Sequence, residues 1–102
     1  MLFLTYWELN ENMPEGDRHK FVQKIMSSGL FPPKGVEVIR WDITPDGWGI
    51  VICEQQSATD VVKSLDMWRM AEGGFFKSTK TAPIISIQES MAMSEGLVKA
   101  LA

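Results

Sequence analysis

The stretch Val36-Glu37-Val38-Ile39-Arg40-Trp41-Asp42-Ile43-Thr44-Pro45-Asp46-Gly47-Trp48-Gly49-Ile50-Val51-Ile52-Cys53-Glu54 decides the fold. Two runs rich in β-branched and aromatic residues, 36–44 and 48–54, flank Thr44-Pro45-Asp46-Gly47. Pro45 presets the first turn dihedral, Asp46 tolerates the bridge region and Gly47 can take a positive φ. That is a hairpin signal. A bulge at Gly47 places Thr44 opposite Trp48 and fixes the register. One face then carries Val36, Val38, Arg40 and Asp42 beside Trp48, Ile50, Ile52 and Glu54. The other carries Glu37, Ile39, Trp41 and Ile43 beside Gly49, Val51 and Cys53. Both faces are largely apolar, so both need a cover.

Outward from the hairpin, helices alternate with strands. Leu2–Leu9 reads as a strand. A helix follows, with Asn12 as N-cap, Pro14 just inside, and an apolar stripe of Phe21, Val22, Ile25 and Met26 ending at Gly29. Pro32 and Pro33 make the connector 30–35 stiff. After the hairpin, Ser57 caps a second helix with Asp60 three residues on. Its stripe is Val61, Val62, Leu65 and Trp68, and Gly73-Gly74 ends it. Residues 81–88 read as the fourth strand. Ser90 caps a tail helix over 90–101 with Met93, Leu97, Val98 and Leu101 on one side.

The order β-α-β-β-α-β predicts an α+β, ferredoxin-like domain over 1–102, with a four-stranded antiparallel sheet and the tail helix appended. Two helices cover one face of such a sheet. The other face is most simply covered by a second copy, which predicts a homodimer whose sheets pack into a barrel.

Composition bounds the function. The chain has 102 residues, 45% of them hydrophobic, and a net charge of -3. Neither nucleic acid nor an anionic membrane surface is an expected partner, because no basic patch is present. The one cysteine, Cys53, excludes an internal disulfide and points to a reducing, cytoplasmic compartment. The apolar opening Met1-Leu2-Phe3-Leu4 lacks the basic leader and long apolar core of a signal peptide. No apolar run reaches about 18 residues, the length of a membrane span.

Candidate chemistry is sparse. Arg40 and Asp42 project from one strand to the same face among apolar neighbours, where they suit an anionic or carbonyl-bearing ligand. The alternative is a solvated salt bridge near the hairpin's open end. Tyr6 offers a hydroxyl, and Trp7 and Trp48 offer aromatic walls. Trp41 and Trp68 read as core, and Cys53 as a buried small hydrophobe. His19, the single histidine, lies off the apolar stripe between Arg18 and Lys20, so a solvated role is expected and a zinc site is not. No cofactor is indicated.

Pro32-Pro33-Lys34-Gly35-Val36, Arg40-Trp41, the run Gly47-Trp48-Gly49-Ile50-Val51-Ile52-Cys53-Glu54, Trp68 and Ala82-Pro83-Ile84-Ile85 together resemble a short, uncharacterised bacterial family of the dimeric α+β barrel superfamily. Where that family's pattern has His after Arg-Trp, this chain has Asp42. The resemblance implies the fold and a homodimer but no settled reaction. Across the superfamily, small-molecule clefts lie between sheet and helices, and some relatives are cofactor-independent monooxygenases or isomerases. Three functions therefore compete. They are a binder of a small apolar or aromatic ligand, a cofactor-independent enzyme using Arg40, Asp42 and Tyr6, and a structural interaction protein.

Overall fold

In the computed structural model, which describes residues 1–71 and 74–102, the elements run β1 (Leu2–Leu9), α1 (Glu15–Ser28), β2 (Glu37–Ile43), β3 (Trp48–Glu54), α2 (Ala58–Ala71), β4 (Phe76–Ile84) and α3 (Ile87–Leu101). The strands form one antiparallel sheet in the order β2-β3-β1-β4. This is the ferredoxin-like arrangement expected from the sequence. Both helical connections step over one strand, so β1 and β3 are central and β2 and β4 are edges.

The hairpin turn forms as its residues require. Gly47 has φ 77°. The Thr44 N–H donates to the Trp48 carbonyl at 2.7 Å and the Gly47 N–H to the Thr44 carbonyl at 3.2 Å. Arg40 to Ile43 then pair with Ile52 to Gly49 in the expected register. Beyond Arg40 the register shifts, and Val38 pairs with Cys53 and Glu37 with Glu54. Ile39 is the extra residue of a β-bulge. The strict alternation expected along β2 therefore fails there: Val38 joins the face of Cys53, and Glu37 joins the face of Glu54. A period-2 reading cannot register an inserted residue.

Odd-numbered residues of β1 face the helices and even-numbered ones face away. Thr5, Trp7 and Cys53 are buried under α1 and α2. Phe21 and Ile25 of α1, Trp68 of α2 and Phe75 form the core cluster, with Leu9, Met13, Val22, Phe31, Met67 and Phe76 packed around it. Met26 and Val62, expected on the buried stripes, are exposed. Each helix buries a narrower arc than its apolar residues span.

Several boundaries differ from the sequence reading. Pro14, not Asn12, occupies the N-cap position of α1, and no side chain caps it. The Asn12 N–H is turned back to Oδ1 of Asn10 at 3.0 Å. Ser57 does cap α2, accepting from the Asp60 N–H at 3.3 Å. Gly74 has φ 86° after α2, while Gly73 lies outside the described residues. β4 begins five residues earlier than expected and ends four earlier, spanning Phe76–Ile84 in place of 81–88. The tail helix starts at Ile87, capped by Ser86, whose hydroxyl accepts from the Glu89 N–H at 3.0 Å. Ser90 lies inside it. α3 buries none of its residues. No helix among the described residues is long and apolar enough to cross a membrane.

Candidate functional site

Between the sheet and its two covering helices lies a cavity of about 280 Å³. Its floor is Thr5, Trp7 and Val51 on the central strands and Trp41 and Ile43 on β2; its roof is Val22 of α1 with Leu65 and Trp68 of α2. Phe31, Phe75, Phe76 and Leu9 border it from the connectors and strand ends, and it opens to solvent beside the exposed Trp41 and Ile43. Six aromatic rings thus contribute to one wall system. Trp68 sits at its centre, buried, with its ring 5.2 Å from Phe31, 5.5 Å from Trp41 and 5.6 Å from Phe75. The first two are edge-to-face and the third is stacked, and pairs at such distances add stability beyond the area they bury.

Polar groups are few in this cavity. Thr5 is buried, but its hydroxyl is engaged with that of Thr81 at 2.8 Å. The indole N–H of Trp7 is buried and finds no hydrogen-bond partner among the described residues. Asp42 borders the cavity, but its carboxylate is held by Arg40 on the opposite face. An uncharged, flat, apolar molecule suits such a lining, because a charged one would lose its hydration and find no partner.

The five residues picked from the sequence do not converge. Trp7 lies in the cavity. Tyr6, Trp48, Arg40 and Asp42 lie on the other face of the sheet, beside Leu4, Ile50 and Ile52. There the Tyr6 and Trp48 rings are 5.9 Å apart. The Tyr6 hydroxyl donates to Oε1 of Glu8 at 2.8 Å. That bond, with a small desolvation and the charge of Glu8, raises the Tyr6 pKa above its ordinary value. Arg40 Nε donates to Oδ2 of Asp42, and this pairing raises the Arg40 pKa. In the single chain both side chains are open to water, at 69% and 48% exposure. The helices cover neither.

Cys53 is buried, and that burial pushes its thiol pKa up even though a bond to Gln55 pulls the other way. A thiol so placed is a poor nucleophile. His19 is exposed on α1. Among the described residues no group of His, Cys, Asp and Glu could hold a metal ion.

Sequence reading missed Phe31, Phe75 and Phe76 as cavity residues and took Trp41 and Trp68 as packing residues; Trp68 is buried in the core, whereas Trp41 on the edge strand stays 40% exposed. The aromatic pair Phe75-Phe76 directly after two glycines was the available signal: a chain reversal that brings two rings under the helices. Phe31 stands one residue before the double proline, where a fixed backbone aims its ring.

A family model described as Domain of unknown function (DUF3303) matches residues 1–98. This agrees with the resemblance to a short family without assigned activity. No curated protein matches the chain. Among solved structures, the SCO4226 protein of Streptomyces coelicolor A3(2) is similar at 14% identity, over 84% of this chain and 100% of that one, with a TM-score of 0.46.

Proposed function

The chain belongs to the family described as Domain of unknown function (DUF3303), which assigns no chemistry, and from its geometry we propose that it is a homodimeric, cytoplasmic binder of a small, uncharged, aromatic or apolar molecule. The observation that carries this reading is the cavity of about 280 Å³, walled by Trp7, Phe31, Trp41, Trp68, Phe75 and Phe76. Its lining matches that of small-molecule pockets, with apolar walls, few polar groups and a position between packed layers, and its volume suits a small ligand at the lower end of their range. The dimer rests on the uncovered sheet face, where Leu4, Tyr6, Ile50 and Ile52 are only half-buried and Trp48 is 39% exposed. A second copy of the same face supplies an apolar cover of matching width.

A cofactor-independent enzyme has less behind it. It would use Arg40, Asp42 and Tyr6, but these groups are satisfied by one another or by Glu8 and stand on the face away from the cavity.

The test is native mass spectrometry of the protein purified gently, followed by calorimetric titration with a flat aromatic hydrocarbon such as fluorene. The expected result is a dimer of twice 11.5 kDa that takes up one probe per chain. Leu65→Trp, which fills the cavity from α2, abolishes the uptake while leaving the circular dichroism spectrum unchanged. A dimer that binds no probe, or a variant that binds as well as the parent, overturns the binding reading.

A further inference from the structure

The helix α3 is amphipathic, and among the described residues none packs on it closely enough to bury any of its side chains. Ile87, Met91, Val98 and Leu101 follow one another at spacings of four, seven and three, with Ser94 completing the heptad and Leu97 alongside. Their exposures are 66%, 65%, 70% and 86%, and Leu97 is 54% exposed. A helix of 15 residues with Gly96 near its end is marginal in water without packing on one face. Yet α3 is firmly started by the Ser86 cap and carries an i,i+4 pair between Glu95 and Lys99. The sequence builds a helix there and then leaves its apolar side bare.

We infer that the apolar stripe of α3 packs on a second copy of this chain, extending the sheet-to-sheet contact past the edge of β4. The inference rests on the dimer proposed above. Three observations favour this occupant. First, the stripe is continuous with the open sheet face: Ile84, the last residue of β4, pairs with Leu2 on that face, and only Ile85 and the cap separate it from α3. Second, the area suffices. Burying an aliphatic side chain removes on the order of 100 Å² from water. The stripe with Ile85 therefore offers on the order of 500 Å² per chain, and a two-fold pair uses it twice. That reaches about 1,000 Å², where specific interfaces begin, before the sheet face is added. Third, the polar side of α3 carries Glu89 and Glu95 against Lys99 alone. A helix made to lie on an anionic bilayer has a basic polar side, so the charge argues against a membrane as the cover.

The experiment uses the full chain. Sedimentation velocity gives the dimer dissociation constant for the parent, for the double variant Leu97→Asp with Val98→Asp, and for Ile50→Asp on the sheet face. An equal mixture of chains carrying ¹³C-methyl methionine and unlabelled chains then reports, by isotope-filtered NOE, what the Met91 methyl touches. The expected result is an intermolecular cross-peak from Met91 and a dissociation constant raised about a hundredfold in the α3 variant. A dimer that Ile50→Asp splits but the α3 variant leaves intact overturns this inference and keeps the dimer. So does a Met91 methyl that touches only neighbours in its own chain. A parent chain that sediments as a monomer overturns both.

Discussion

A Cβ built on Gly49 would lie 2.0 Å from the carbonyl oxygen of Asp42 and 2.5 Å from Cζ2 of Trp7. Gly49 is opposite Trp7 in the β1–β3 ladder and opposite Ile43 in the hairpin, so the indole lies over bare backbone. Neither neighbour can yield, because one is main chain and the other a buried ring. Gly49→Ala should therefore cost roughly 3 kcal/mol, a fall in melting temperature of at least roughly 10 °C for a domain of this length, read by thermal circular dichroism. Gly16, with nothing near it, is the control: Gly16→Ala should leave the melt unchanged or raise it by a few degrees. Tyr6 makes a second prediction. Its folded pKa is raised, so the Tyr6–Glu8 bond contributes at neutral pH and is lost as pH rises through that pKa. Because Tyr6 is the single tyrosine, its phenolate absorbance can be followed directly. The midpoint should lie above about 10 and move down in Glu8→Ala. At this scale the sequence was half legible. Glycine opposite tryptophan on paired strands is visible once the register is known, and the turn residues reveal the register. The closure of Arg40 on Asp42 is legible too, because residues two apart on a strand share a face. Which face the helices would cover was not visible in the hairpin itself.

The elements show where periodicity stops being informative. β1 and β3 lie at the centre of the sheet, carry near-continuous apolar sequence, and have the bounds that their composition marks. β4 is an edge. Only Thr79 and Thr81 of its middle stretch turn inward, between the exposed Ser78, Lys80 and Ala82. An edge strand half in water has no apolar run to betray its start, and the sequence reading missed its first five residues for that reason. Pro83 fits the same position, since an edge tolerates a missing donor. The tail helix was legible as an apolar stripe but its start was not: Ser86 and Ser90 are both plausible caps one turn apart, and the earlier one wins because its hydroxyl meets the Glu89 N–H. Removing that bond tests the assignment. Ser86→Ala should lower the exchange protection of the α3 amides about fivefold, corresponding to a cap of about 1 kcal/mol, and leave the sheet amides untouched. The Ile39 bulge was not predictable from β2 alone. Bulges are common at sheet edges, and this one sits on an edge strand, just before Trp41 at the cavity.

For the molecule as a whole, Trp68 ties the layers together. Its ring meets Phe21 of α1 at 5.6 Å, Phe31 of the connector, Trp41 of β2, and Phe75 ahead of β4. Every layer loses contact when it is removed. Trp68→Ala should cost about 3–5 kcal/mol, enough to unfold a domain of this size in mild denaturant, and Trp68→Phe should recover most of the loss. Urea titration followed at 222 nm distinguishes the two. Of the cavity's aromatic lining only Trp7 was legible as a site residue, because the wall is assembled from seven separated segments, none of which looks like a motif. The fold order, by contrast, is written in consecutive elements and was readable end to end.

The indoles are unevenly divided between the two sides of the sheet. Trp7, Trp41 and Trp68 line the cavity, while Trp48 stands alone on the uncovered face beside Tyr6. The protein therefore carries two built-in optical reporters. Trp48→Phe leaves emission from Trp7, Trp41 and Trp68, all of which line the cavity, so it answers to what enters between sheet and helices. In the parent chain, a blue shift that grows with protein concentration and vanishes in Trp48→Phe tracks the meeting of two chains. Occupancy and association can thus be followed separately in one cuvette, with no label attached.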